Sequence, residues 1–246
     1  MFVYQILIEY DGSNFAGWQI QQNVKTVQEE IQQVIKKILK KKIILYGSGR
    51  TDKGVHAIEQ SAHFKIDFNI INTEKFLKSL NFFLNKKNIS ILNLKKKTSS
   101  FHARHSAKKR VYKYVIINRF SPLILERNRA WYIKKKLDIN LIKKGGKILK
   151  GTKDFSTYRS SSCNAKSPIK TLENVKIKKK KDKIEITFKS KSFLQQQVRS
   201  MVGCLKYLGE KKWTLKKFKK VMIAKKRVDC APPAPPSGLY LMKIKY

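Results

Sequence analysis

Asp and Glu together fill 16 of 246 positions, against 56 Lys and Arg, so the formal net charge is +40. Chemistry that needs several carboxylates has little to draw on, whether a paired-acid hydrolase or a carboxylate cage for a hard cation. Cysteine is scarcer still. Cys163, Cys204 and Cys230 are odd in number, widely spaced and free of any CxxC pair. They read as free thiols in a reducing compartment, with structural roles at most. The four histidines, His56, His63, His102 and His105, form no HExxH, so no metal site is expected. His102 and His105, three apart in a basic loop, suit a phosphate or surface role better than a metal. GxxxxGK[ST] and GxSxG are both missing, which removes phosphate-loop and serine-hydrolase chemistry. No apolar run approaches the roughly 20 residues of a membrane span.

Apolar residues make up 41% of the chain and aromatics 11%, enough for a packed core in one large or two medium domains. The opening MFVYQILIEY passes straight into strand-like alternation, without a charged lead-in or small-residue cleavage site. No signal peptide is expected, and the cytoplasm is the expected location. Such a positive charge points to a polyanionic partner. A second account of the charge stands beside it. Only 9 of the basic residues are Arg and 47 are Lys, as codon drift in an A/T-rich genome would leave them. Runs such as Lys134–Lys136 and Lys178–Lys181 then read as solvated strand ends or turns.

Tyr4, Ile6, Ile8 and Tyr10 alternate on one face of a first strand. Asp11–Asn14 is turn chemistry, and Phe15 and Trp18 in the next loop suit core packing better than base stacking. Thr26 and Glu29 form the pattern of a capping box before a helix at 27–40. Ile43–Tyr46 reads as a strand that feeds a tight glycine-bearing loop, followed by a further strand through Ala62 and Phe64. A helix after Asn72 or Thr73 buries Phe76, Leu77, Leu80 and Phe83. A strand follows on Ile89, Ile91 or Leu92, and Leu94. The pattern is βαββαβ, the split βαβ or ferredoxin-like arrangement, with an antiparallel sheet and helices on one side. The second half has a similar order: a strand at 111–118, a short one at 130–133, and a helix at 139–149 closed by Gly151. Next come a hairpin at 171–178 and 183–189, a helix at 193–208 stopped by Gly209, a helix at 215–226, a proline-stiffened crossing at 232–236 and a last strand from Leu239. The fold class is α+β, with two such halves, residues 1–105 and 106–246, and a cleft between them.

Asp52 stands out, in YGSGRTDKGVHAIEQSAHF at 46–64. A lone acid on a tight loop, flanked by Arg50 and Lys53, is a candidate reactive carboxylate; equally, it could cap a turn. Glycines at 47, 49 and 54 allow unusual backbone angles or close approach of a ligand. Glu59, the nearest other acid, is expected on the following strand.

GSGRTDKGVHA, with EYDGSNFAGWQ at 9–19, FHARHSAKKRVYKYVI at 101–116, DFSTYR at 154–159, FLQQQVRSMVG at 193–203 and SGLYLMKIKY at the C-terminus, resembles the tRNA pseudouridine synthase A family, in that family's order and over nearly the whole chain. The resemblance implies that Asp52 is the catalytic carboxylate and Arg199 its basic partner. It implies that Tyr112 packs against the target base, that Arg50 helps extrude it, and that Leu239 and Tyr240 lie beside the pocket. Gln195–Gln197 stands where the family often has His and Met, and Ser237 where an acid is expected before Gly-Leu.

Such an enzyme breaks the C1′–N1 bond of uridine, turns the uracil and rejoins it through C5. It requires no cofactor, because nothing is lost, oxidised or phosphorylated. A carboxylate suffices, either as nucleophile at C1′ or by assisting a glycal. It must be ionised, which burial opposes and a paired Arg favours; Arg also keeps its charge when desolvated. The base must leave its stack at a cost of a few kcal/mol, and an aromatic face recovers ~1–3 kcal/mol. The resemblance further implies the anticodon stem-loop of tRNA, uridines at positions 38 to 40, as substrate, and a homodimer. Rival readings are a non-catalytic basic RNA-binding protein, which fits the charge but leaves the Asp loop unused, and a nuclease using Asp52 as metal ligand, which lacks partner acids.

Overall fold

The computed structural model describes residues 1–246. In chain order the elements are β1 (Phe2–Tyr10), α1 (Val27–Leu39), β2 (Tyr46–Gly47), β3 (His56–Ile66), α2 (Thr73–Leu84), β4 (Ile89–Lys97), β5 (Lys109–Asn118), β6 (Trp131–Ile133), α3 (Ile139–Leu149), β7 (Gly151–Asp154), β8 (Ile169–Lys180), β9 (Lys183–Ser190), α4 (Gln197–Gly209), α5 (Leu215–Ile223) and β10 (Leu239–Lys245). The fold is α+β and mainly antiparallel. Two compact units result: residues 1–108 with 240–246, and residues 109–239. No helix is long and apolar enough to cross a membrane.

In the first unit β1 lies between β3 and β4, antiparallel to both. β2 and β10 share the other edge of β3. β2 runs antiparallel beside Ala62 and His63, and β10 parallel beside His56 and Ala57. The expected βαββαβ order holds, and the inward face of β1 carries Tyr4, Ile6, Ile8 and Tyr10 as expected. α1 packs on α2, and α2 on β4.

Three local expectations need correction. β2 does not begin at Ile43, because α1 side chains satisfy the backbone there: Gln32 Oε1 accepts from the Leu45 amide at 2.9 Å, and Gln28 Nε2 donates to its carbonyl at 2.7 Å. The capping box does not form. Thr26 is the N-cap, yet its hydroxyl is buried without a hydrogen bond. The first helical amides, Val27 and Gln28, donate instead to the Gly17 and Trp18 carbonyls at 3.2 and 3.1 Å, so another segment of backbone supplies the acceptors that a helix start needs. On α2 it is Leu84, not Phe83, that is fully buried; the Phe83 ring lies under the Lys37 ammonium at 4.3 Å. The choice between Ile91 and Leu92 on β4 is settled by a register shift opposite Leu7 and Ile8. This bulge puts Ile89, Ile91 and Leu94 on the buried side although their spacing changes parity.

In the second unit the sheet order is β5-β9-β8-β7, antiparallel throughout, with β6 parallel to the end of β5. The β8–β9 hairpin was legible; Lys181 at its tip has φ +51. α3 has the expected bounds, but Gly151 opens β7 with φ +103 rather than closing the helix. α4 starts four residues later than its apolar pattern suggests. Gln196 sits at φ +60, and the Gln197 side chain accepts from the Leu194 amide at 2.8 Å. Gly209 is the last helical residue, and its role is close packing: a Cβ there would lie 2.7 Å from Ile142 of α3. α5 ends at Ile223, two residues before Lys225 at φ +55.

Candidate active site

The Asp52 loop, residues 48–55, is hydrogen-bonded to its surroundings at Ser48, Gly49, Thr51 and Gly54. The Ser48 amide donates to the Ser61 carbonyl at 2.8 Å, and its hydroxyl to Gln60 Oε1 at 2.7 Å. Gln60 Nε2 donates to the Gly49 carbonyl at 2.9 Å. Thr51 Oγ1 and the Tyr10 hydroxyl lie 2.8 Å apart, and the Thr51 carbonyl accepts from the Trp18 amide at 3.1 Å. The chain then reverses. The Val55 amide donates to the Asp52 carbonyl at 3.1 Å, with Gly54 at φ +76 in the third position of the turn. That angle is what glycine supplies cheaply.

This frame is buried and mostly neutral. Gln60 is fully buried, and Ser48 and Thr51 nearly so. Trp18 and Phe15 are core residues, 1% and 2% exposed, so the packing reading holds for both. Trp18 also gives Gly47 its reason: a Cβ there would lie 2.5 Å from the indole nitrogen. After the loop, His56 Nδ1 accepts from the Gly12 amide at 3.1 Å, and its ring stacks on Tyr240 at 4.8 Å. From this frame Asp52 emerges half-buried, while Arg50 and Lys53 are exposed. The structure thus brings Arg50 and Asp52 to one short loop, with Tyr240 packed on the histidine at its end.

Tyr112, Arg199 and Leu239 belong to the second unit. Arg199 is in the first turn of α4. Its Nε donates to the Ala234 carbonyl at 2.7 Å, and its own carbonyl accepts from the Ala234 amide at 3.0 Å. The proline segment is thereby sewn to the helix, and Gly203 allows it, since a Cβ there would overlap the Pro232 carbonyl oxygen. The Tyr114 hydroxyl donates to the next carbonyl, Pro235, at 2.7 Å. Burial holds the Tyr114 phenol neutral far above the usual range, against the pull of the Arg199 cation. Tyr112, two residues earlier on β5, packs edge-on against Phe193 at 5.2 Å. Leu239 is buried next to Gly238, whose Cα faces the Tyr114 ring. Gln197 is fully buried and holds the helix start.

Sequence reasoning missed the supports. Tyr10 was expected on the inward face of the first strand but not as a partner of Thr51, and a register shift on β3 between the partners of Ile8 and Tyr10 hides the alternation that would mark Gln60 as inward. Tyr114 had a signal, its place on the same face as Tyr112. His102 and His105 fall into a ring cluster with His63, at 4.7 Å (His63–His102) and 4.4 Å (His102–His105) between centroids. His102 Nδ1 accepts from the Arg104 amide at 3.2 Å, so it stabilises its own turn. Burial drops the His63 pKa to about 4, helped by the neighbouring His102 and Lys65 cations.

The chain matches a family model described as tRNA pseudouridine synthase over residues 6–106 and 147–246. It is 64% identical over 246 residues to the tRNA pseudouridine synthase A of Pelagibacter ubique, covering 100% of both chains. It is 42% identical to the protein of the same name from Parvibaculum lavamentivorans, over 99% of this chain and 98% of that one, and 42% identical to that of Ehrlichia canis, over 99% of each. The Asp52 loop and the start of α4 both fall inside the matched residues. With a family model covering most of its length and full-length relatives this similar, the chain belongs to the tRNA pseudouridine synthase family.

Proposed function

We propose that this enzyme, an RNA isomerase by family, converts uridine to pseudouridine at positions 38 to 40 of the tRNA anticodon stem-loop, with Asp52 as its catalytic carboxylate. The observation that carries the reading is the construction of the Asp52 loop. Buried neutral groups hold it at Ser48, Gly49 and Thr51, and the one acid in it is half-exposed. A carboxylate that attacks C1′, or assists a glycal, gains from being fixed before substrate arrives.

In this reading Arg199 is the second catalytic residue, a fixed cation. Its tie to Ala234 fixes the guanidinium plane, which supports a directional role over a diffuse one. Tyr112 offers a face to the extruded uracil, Leu239 an apolar wall, and Arg50, exposed beside Asp52, a contact to the displaced strand. Positive charge over the surface draws in the polyanion. The proposal extends to a homodimer working on tRNA in the cytoplasm, without cofactor.

The test uses unmodified tRNA carrying tritium at uridine C5, incubated with the enzyme in EDTA. Tritium is released as C5 forms its new bond. Wild type should release it and Asp52→Ala should not. An alanine variant with wild-type activity would sink the assignment; loss of activity in EDTA would revive a metal-dependent reading. A non-catalytic RNA-binding protein would bind tRNA and release nothing.

A further inference from the structure

Two of the three cysteines, 26 residues apart in the chain, meet in the second unit. Cys204, on α4, is fully buried, and Cys230, in the loop after α5, is partly exposed; their sulfurs are 3.4 Å apart in a thiol–thiol hydrogen bond. We propose that Cys204 and Cys230 are an oxidation site, a dithiol that closes reversibly to an intramolecular disulfide and fastens the proline segment to α4.

A disulfide needs sulfurs about 2.05 Å apart, so they must approach by roughly 1.4 Å. The surroundings suit that small movement. Cys230 begins the stretch that already meets α4 at two further points, Pro232 against Gly203 and Ala234 against Arg199. The new bond would be a third tie on an existing seam.

The two thiols are unequal. The hydrogen bond from Cys204 and the neighbouring Arg227 hold the Cys230 thiol below the ordinary range. The same hydrogen bond and burial push the Cys204 thiol far up. Cys230 is therefore the attacking thiolate, and it is also the more accessible of the two. With a peroxide as oxidant, the Cys230 sulfur attacks the O–O bond and becomes a sulfenic acid, releasing hydroxide, which takes up a proton to become water. The Cys204 sulfur then attacks the sulfenic sulfur; the S–O bond breaks, and the Cys204 proton leaves with that oxygen as a second water. Two electrons pass from the thiols to the peroxide, and a small-molecule thiol reverses the reaction by exchange.

The test treats the folded full-length protein with a small excess of hydrogen peroxide and quenches it by alkylation. Titratable thiols should fall from three to one, with loss of two hydrogens by intact mass, and digestion without reductant should yield a linked Cys204–Cys230 peptide. Dithiothreitol should restore all three. Closing this loop should raise the melting temperature by ~5–10 °C. Cys163→Ser should behave as wild type. Cys204→Ser should give no internal link and should trap Cys230 as a sulfenic acid detectable with dimedone. Retention of three thiols, or links made through Cys163, would overturn the site. A linked protein that melts lower than the reduced one would overturn the fastening role.

Discussion

The loop at 48–55 and the start of α4 each carry one of the two candidate catalytic residues, Asp52 and Arg199, but they are held in place by different means. Asp52 stands on a loop whose supports lie near it in sequence or on strands it adjoins: Gln60 and Ser61 on β3, Tyr10 and Trp18 at and after the end of β1. The loop is held at Ser48, Gly49 and Thr51. Arg199 is gripped through its own guanidinium by Ala234, 35 residues later. In the first case the contacts fix the loop that carries the acid. In the second they fix the side chain itself, and with it the direction of a planar charge.

The contrast predicts different sensitivities. Asp52→Asn keeps shape and removes charge. Tritium release should fall at least ~10³-fold, on the order of 4 kcal/mol of transition-state stabilisation, with a melting temperature near wild type. Retained activity would mean the loop is only structural. Arg199→Lys keeps charge and removes the planar fork. A loss of ~10–100-fold in kcat/KM is expected, with binding of tRNA by filter retention little changed; full activity would show that charge alone is needed and that the Ala234 grip is incidental.

Gly47→Ala attacks the frame of the loop rather than its acid. The methyl group must displace the buried Trp18 indole, so a stability loss of about 1–3 kcal/mol is expected in urea melts, with a shift in Trp emission. An unchanged urea midpoint would show that the loop frame is softer than its contacts suggest. The smallest effect is expected from pH. His63 is buried and neutral, with its pKa lowered to about 4 from 6.5. Above pH 6.5 folded and unfolded states hold it alike. Between 6.5 and 4 the unfolded chain takes up the proton and the folded one does not, so stability falls as pH falls. His102 and Lys65, beside it, act in the same direction. Wild type should lose melting temperature across this window, and His63→Gln should lose less; equal slopes would assign the effect to other groups.

The candidate loop was legible because it is local. Asp52, Arg50 and their glycines occur in one run of residues, and the turn needs a glycine at 54 for a reason that the backbone imposes anywhere. Strand β1 and the β8–β9 hairpin were legible for the same reason: alternation and turn chemistry depend on neighbours only. What could not be read were features created by distant chain. The capping box at Thr26 failed because Gly17 and Trp18 carbonyls supply its acceptors. β2 shrank because Gln28 and Gln32 reach back from α1. α4 lost its first turn to a left-handed Gln196, which no apolar period can reveal.

Gly47 and Gly209 show the division most plainly. The sequence suggested one glycine for unusual backbone angles or close approach by a ligand and one as a helix stop. The fold uses them for the Trp18 indole and for the Ile142 side chain. Sequence alone determined the order of elements, the family and the candidate acid, since those rest on period, motif and residue chemistry. Tertiary structure decided how Asp52 and Arg199 are supported and that Cys204 meets Cys230, because those depend on which distant backbone groups and side chains come within bonding distance once the chain has packed.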